Sequence, residues 1–167
     1  FCTLTSSMNN AAFIAQLNEW GIKRIPFLFI VDFEMQKPVA FTLESLVDSQ
    51  SIWYDINGLS NVNHITTKSP QPVTLTITPE AFDVYKSKFD YVYHSLCYGD
   101  SYLANITTKT KVHTTASLRD LFLSSKAPYK LLYNNSFLVF SPETFIKLQD
   151  QQVFTFPMKG TIDASIP

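Results

Sequence analysis

Glycine is scarce in this chain, four in 167 residues. No GxGxxG follows an apolar run, and there is neither a phosphate loop nor a GxSxG nucleophile elbow, which removes nucleotide-binding and serine hydrolase readings. Cysteine is scarcer still: Cys2 and Cys97 stand far apart without CxxC or metal-ligand spacing. That pattern is expected of a reduced, intracellular, cytoplasmic protein without a disulfide. His64, His94 and His113 fall in different segments, with no spacing that sets two on one helix face. They read as surface or partly buried side chains rather than metal ligands. An excess of either charge is also missing: thirteen basic against fourteen acidic side chains leave a net charge of -1. No long-range field attracts nucleic acid or an anionic membrane, and neither is expected as a partner. The longest apolar run, Ile25 to Phe33, is interrupted by Pro26. It falls well short of the roughly 20 residues a membrane helix needs. No basic segment followed by an apolar stretch and a small-residue cleavage site marks a signal peptide. Because the first residue is Phe, the start is expected to be processed, trimmed or internal.

What the chain does hold is apolar material, 46% of residues with fourteen phenylalanines. This is enough to bury a core at the length of one ordinary domain. Met8 to Trp20 sets Phe13, Ile14, Leu17 and Trp20 at helical spacing, with Ser7 or Asn9 able to cap the start and Gly21 the end. Pro26 to Phe33 and Val39 to Leu43, joined by the polar Glu34 to Lys37, predict an antiparallel hairpin. Ser51 to Ile56 and Val73 to Ile77 are further strand candidates. Thr78-Pro-Glu80 predicts a helix start, after which Phe82, Tyr85, Phe89, Val92 and Leu96 recur at helical intervals up to Gly99. At that spacing the aromatic stripe is expected to be buried in a core rather than to serve as a ligand surface. Ser101 to Val112 alternates like a strand, and Ser117-Leu-Arg-Asp120 has the form of a capping box. Tyr129 to Tyr133 and Phe137 to Phe140 flank Asn-Asn-Ser as a second hairpin. The expected fold class is α+β, antiparallel sheets with packed helices. The sequons at Asn105 and Asn134 are read as structural, and Lys68, Lys86, Lys88, Lys109 and Lys111 as a solvated face.

Three short stretches remain: Gly99-Asp-Ser-Tyr-Leu-Ala-Asn105, Phe140-Ser-Pro-Glu-Thr-Phe145 and Phe156-Pro-Met-Lys-Gly-Thr161. Singly they read as a turn before a strand, a helix opening with an acid at its positive end, and a strand end. In this order, with sixteen residues from Glu143 to Lys159, they are similar to the motifs of the chorismate-utilising enzyme family. Met158 takes the place of the family's usual Ile.

The resemblance implies a chemistry. Chorismate loses its C4 hydroxyl as a nucleophile arrives at C2, which requires an acid and an attacking group. Glu143 takes the part of the general acid and Lys159 that of the nucleophile. Relatives that make anthranilate or isochorismate typically carry alanine at the position of Lys159, so a lysine resembles the aminodeoxychorismate branch, which feeds 4-aminobenzoate and folate synthesis. Gly160 would let the backbone approach the substrate and Thr161 would donate a hydrogen bond to it. Leu103 stands where water-using relatives have a lysine base and ammonia-using ones commonly glutamine. It argues against water as nucleophile and departs from the ammonia-using form. Phe41-Thr-Leu-Glu-Ser45 is faintly similar to the segment of tryptophan-binding relatives, and no tryptophan site is assigned to it.

The resemblance also implies what to look for elsewhere. Residues 1–167 correspond to the N-terminal portion of a single chorismate-binding domain, resembling half of its sandwich. The C-terminal half would supply the ligands for Mg2+ and the basic groups for the substrate carboxylates. The implied partners are chorismate and a glutamine amidotransferase subunit that supplies ammonia, and the isolated chain is expected to be inactive. Alternatives are an anthranilate synthase-like subunit and a noncatalytic half-domain that self-associates through exposed sheet edges.

Overall fold

The computed structural model describes residues 9–62, 73–142 and 144–156. The chain is α+β and divides into two compact units, one taking Phe1–Lys68 with Ser125–Pro167 and the other Ser69–Ser124.

The first unit opens with α1 (Asn10–Ile22). The side chain of Asn9 accepts a hydrogen bond from the Ala12 N–H at 2.8 Å, the cap expected of an Asn before the first apolar turn. The helix runs past Gly21 to a C-cap at Lys23. Phe13 is buried, and ring contacts Trp20–Phe27 (5.6 Å) and Phe13–Phe29 (6.3 Å) seat α1 on β1 (Phe27–Ile30). β1 pairs antiparallel with β2 (Val39–Thr42), Phe27 opposite Thr42. In the connector the Asp32 carboxylate accepts from the N–H groups of Lys37 (2.7 Å) and Gln36 (3.2 Å). These donors, Lys37 first, hold Asp32 below the usual carboxylate value. A single 3-10 turn, Glu44–Leu46, then leads to β3 (Ile52–Ile56).

β3 is central in a four-stranded antiparallel sheet of order β4-β3-β7-β8, with β4 (Leu59–Ser60), β7 (Tyr129–Tyr133) and β8 (Phe137–Phe140). Both faces of β3 are buried. Leu46, Ile52 and Tyr54 form one cluster, covered by Leu28, Phe41, Leu43, Leu131 and Tyr133. On the other face Trp53 lies opposite Leu132, and both are buried. Burial raises the Tyr54 phenol above its ordinary value, so the hydroxyl stays neutral.

β4 is too short to pair with the whole of β3, and Asn61 takes over where it ends. Its side chain accepts from the Tyr54 N–H (2.9 Å) and donates to the carbonyls of Ile52 (2.9 Å) and Leu46 (2.7 Å). An amide with one acceptor and two donors thus stands in for a strand partner and is itself buried. Asn61→Ala leaves these backbone groups unpaired and is expected to cost about 2–4 kcal/mol, read as a lowered denaturation midpoint in urea. An unchanged midpoint would show that water replaces the amide.

Two further strands, β9 (Ile146–Gln149) and β10 (Gln152–Thr155), form a separate ribbon with Ile146 opposite Thr155. The helix expected at Ser-Pro-Glu is not formed by its described residues. Ser141 and Pro142 leave β8, and Thr144 and Phe145 lead straight into β9.

The second unit holds β5 (Thr76–Thr78), α2 (Phe82–Tyr98), β6 (Lys111–His113) and α3 (Leu118–Ser124). Thr78 pairs with Lys111 in the β5–β6 ribbon instead of capping α2. The helix begins only at Phe82, after Ala81, without a side-chain cap. Its end is the expected one: Gly99, at φ 93, gives its N–H to Leu96 O, and Asp100 gives its own to Ser95 O. This is a Schellman closure that needs a left-handed residue. The strand expected over Ser101 to Val112 shrinks to Lys111–His113, and residues 101–110 are irregular.

The aromatic stripe of α2 is a correction to the sequence reading. Phe82, Tyr85 and Phe89 are exposed, and the helix holds no fully buried residue. Helical spacing lines these rings up, but burial needs an opposing layer, and β5 and β6 are themselves exposed along their length. The rings pack instead along the helix, Tyr85 on Phe89 at 6.4 Å and Phe89 on Tyr93 at 6.1 Å.

At α3 the capping box forms with Asp in its acidic position. Ser117 Oγ accepts from the Asp120 N–H (3.2 Å), and the Asp120 carboxylate accepts from the Ser117 hydroxyl (2.7 Å) and N–H (3.0 Å). The hydroxyl first, and then the N–H, holds Asp120 below its ordinary 3.8. A depressed folded value makes this cap fully effective above pH 3.8 and lost as pH falls through that lower value. The α3 carbon shifts are therefore expected to move toward coil under acid, and Asp120→Asn to remove that pH dependence. A transition unaltered in the variant would refute the assignment.

Candidate functional site

Glu143, Lys159, Gly160 and Thr161 lie outside the described residues. The backbone that leads to Glu143 and Lys159 is described. Ser141 continues the sheet with a bond from its N–H to Tyr129 O (2.8 Å), then turns into the left-handed region at φ 43. That conformation is uncommon for serine, and Pro142 after it has no N–H to give to any ladder. The chain therefore leaves the sheet abruptly at the start of Ser-Pro-Glu.

From there β9 runs out and β10 runs back. The turn between them places Asp150 (φ 51) and Gln151 (φ 61) both in the left-handed region, the conformation of a two-residue hairpin that follows strand twist. Ile146 and Thr155 are the last pair at the open end. Glu143 lies three residues before that pair and Lys159 four residues after it. The fifteen residues between acid and lysine are thus taken up mainly by a hairpin that returns to where it started.

The Gly-Asp stretch belongs to the other unit. Gly99 and Asp100 close α2, and Leu103 is exposed with its N–H on Ser101 Oγ (3.4 Å). Asn105 lines an open cleft of about 540 Å3 with Ile106, Thr107 and the Ser87, Lys88, Tyr91 and Val92 side of α2. Sequence reasoning set Lys88 aside and did not find this cleft. Lys88 Nζ lies 2.6 Å from Glu80 Oε1, so its charge is already answered and the cleft offers no free cation from this lysine to a carboxylate ligand.

Elsewhere, Ser45 Oγ donates to Thr42 O at 2.7 Å within the Phe41–Ser45 segment. Lys130, an unflagged strand lysine, has its Nζ 3.2 Å from Ser125 O and 3.7 Å from Asp55 Oδ2. Cys97 is free and exposed. No group of three or more His, Cys, Asp or Glu side chains among the described residues is placed to hold a metal ion. No described helix is long and apolar enough to cross a membrane.

This α+β chain carries Ser-Pro-Glu and Pro-Met-Lys-Gly-Thr on either side of a returning hairpin. It belongs to the chorismate binding enzyme family, whose match covers residues 40–165 and so includes all three stretches. The chain is 40% identical over 160 residues to an uncharacterized PabA-like protein of Pasteurella multocida, covering 96% of this chain and 49% of that protein. It is 42% identical over 157 residues to an uncharacterized PabA-like protein of Haemophilus influenzae, covering 93% of this chain and 46% of that one. The chain thus spans about half the length of the curated relatives it matches. No solved structure matches it.

Proposed function

We propose that this chain is the acid-bearing and lysine-bearing portion of an aminodeoxychorismate synthase component I. The whole enzyme would convert chorismate and ammonia to 4-amino-4-deoxychorismate for 4-aminobenzoate and folate synthesis. One observation carries the reading: β9 and β10 return to a common end, from which the segments holding Glu143 and Lys159 continue. An acid for the C4 hydroxyl and a nucleophile for C2 must meet on one ring, and a hairpin makes a sixteen-residue separation compatible with that. The PabA-like name of both relatives fits the 4-aminobenzoate assignment.

In this reading the Lys159 amine attacks C2 of chorismate and sheds a proton, both ring double bonds shift, and the C4–O bond breaks. Glu143 gives its proton to the departing hydroxyl, which leaves as water. Ammonia then attacks C4, both double bonds shift back, and the C2–N bond breaks, the proton lost by the new C4 amine going to the released Lys159 nitrogen. One ammonia is consumed and one water released. Lys159 attacks only as the free amine, a form that burial favours. Gly160 admits the substrate against the backbone and Thr161 hydrogen-bonds to it. The Mg2+ ligands and the groups that hold the carboxylates are assigned to the other half of the enzyme. A glutamine amidotransferase would supply the ammonia, in the cytoplasm.

The test joins this chain to the remaining half of the Pasteurella multocida relative and supplies chorismate, 15N-ammonium and Mg2+. Mass spectrometry is expected to show the 4-amino product carrying 15N. Anthranilate or isochorismate as the main product would overturn the assignment and favour the neighbouring branches.

A further inference from the structure

The sheet that leads to Ser-Pro-Glu ends at a defined rung. β7 and β8 pair with Lys130 opposite Phe140, and one step further the Ser141 N–H reaches Tyr129 O at 2.8 Å. By the same register, the next residues to face each other are Pro128 and Pro142. Neither has an N–H, so no further rung forms from either side. Pro128 O is already engaged by the Asn57 N–H at 2.7 Å. The two prolines thus fix where the ladder stops, and leave open the direction in which the chain departs.

That direction is set at Ser141. Its φ of 43 lies in the left-handed region, where Cβ crowds the backbone and where glycine, or after it asparagine, is the undemanding choice. A following proline narrows the backbone freedom of this residue further. The Ser141 side chain is exposed, so packing in the sheet does not hold the conformation. The backbone on either side does, through the last rung to Tyr129 and the ring of Pro142. Backbone held in this way is concentrated at functional sites, and Glu143 is the second residue after it.

We propose that Ser141 is a positioning residue for Glu143: its left-handed backbone, set between the last rung of the sheet and Pro142, gives the segment that carries the acid its direction. Pro142 holds its own φ near about −65°, so a turn made at Ser141 is passed on toward Glu143 with little slack. Serine in place of glycine also narrows the range of conformations at the turn. The role belongs to the backbone, which predicts that tolerance at this position follows ease of entry to the left-handed region and not the hydroxyl. The proposal rests on the reading of Glu143 as the general acid and not on where nitrogen is added.

The test uses this chain joined to the remaining half of the Pasteurella multocida relative, with Ser141 replaced by Gly, Asn, Ala and Val. Ser141→Gly and Ser141→Asn keep the conformation and are expected to hold kcat within about threefold of the parent. Ser141→Val brings a β-branched side chain that the left-handed region excludes. It should lower kcat at least about tenfold with KM for chorismate within about twofold, the mark of a misplaced acid and not of a lost binding contact. In a Glu143→Gln background, with product read over long incubations, the same valine should cost less than about twofold, because no proton is left to misplace. Where circular dichroism shows that Ser141→Val does not fold, Ser141→Ala takes its place. Its kcat should fall at least about threefold below that of Ser141→Gly, a difference that Glu143→Gln removes. A smaller loss than these, equal losses in the glycine and valine variants, or a loss that persists in Glu143→Gln each overturns the proposal. The same pattern on anthranilate or isochorismate leaves the positioning role standing and removes the proposed amination. Formation of the 4-amino product with any overturning pattern does the reverse.

Discussion

Lys159→Ala, in this chain joined to its relative's remaining half, is expected to lower formation of the 4-amino product by about 100-fold or more. It should also abolish the covalent chorismate adduct that intact-mass measurement is expected to show in the parent. Alanine removes the internal nucleophile, and ammonia is left to attack C2 as the resemblance implies for alanine-bearing relatives. The residual product is therefore expected to carry nitrogen at C2 rather than C4. Glu143→Gln keeps the size of the side chain and removes its proton. Loss of general acid catalysis costs about 10²- to 10⁴-fold in kcat, with KM much less affected. The pair separates two roles: the lysine variant changes where nitrogen goes, and the glutamine variant changes only how fast. A normal rate of the 4-amino product in Lys159→Ala would show the covalent step to be dispensable.

The local structure was legible in the sequence at several caps and turns where a backbone group had one obvious partner, though Thr78, read as the cap of α2, is taken up by β5 instead. Asn9 before an apolar turn, Gly99 after one, and Ser117 three residues before Asp120 each name both members of a hydrogen bond, and each bond forms. The Asn134-Asn135 turn was legible for the same reason, since asparagine accepts the left-handed conformation found there (φ 47 and 52). The Asn57-Gly58 turn, with the pairing of Ile56 and Leu59, carried as strong a signal but was passed over in the sequence reading, which placed a loop there. The β9–β10 hairpin was hidden because its turn uses Asp150-Gln151, and glutamine gives no hint of positive φ. Its strand Ile146–Gln149 sat where a helix was expected from Ser-Pro-Glu, a signal that a turn out of β8 also satisfies.

Burial was legible only where the opposing layer lay in the same chain. Ile52 and Tyr54 find Leu28, Phe41, Leu131 and Tyr133. The α2 stripe has the same pattern quality and stays exposed, because periodicity states which residues share a face and says nothing about what meets it. The candidate site divides in the same way. Its residue types suggested a chemistry in the sequence, while Glu143 and Lys159 themselves lie outside the described residues and only the hairpin between them is seen.

The isolated 167-residue chain, supplied with chorismate, ammonium and Mg2+, is expected to give no detectable product and no binding heat. Chorismate carries two carboxylates, and each must exchange water for a cation or several donors to bind in a desolvated site. The described lysines with assigned partners are already committed: Lys23 to Glu19, Lys86 to Asp90, Lys88 to Glu80 and Lys130 to Asp55. A net charge of -1 adds no general attraction. In the proposed reading such a chain would hold the attacking amine while the groups that bind the carboxylates belong to the other half, so substrate concentration would not rescue the rate. Adding the complementary half is expected to restore both binding heat and product, and the restoration should fail with Lys159→Ala for the 4-amino product while binding persists. Turnover by the isolated chain above about one part in 10³ of the joined protein would refute the assignment of the carboxylate-binding groups to the other half.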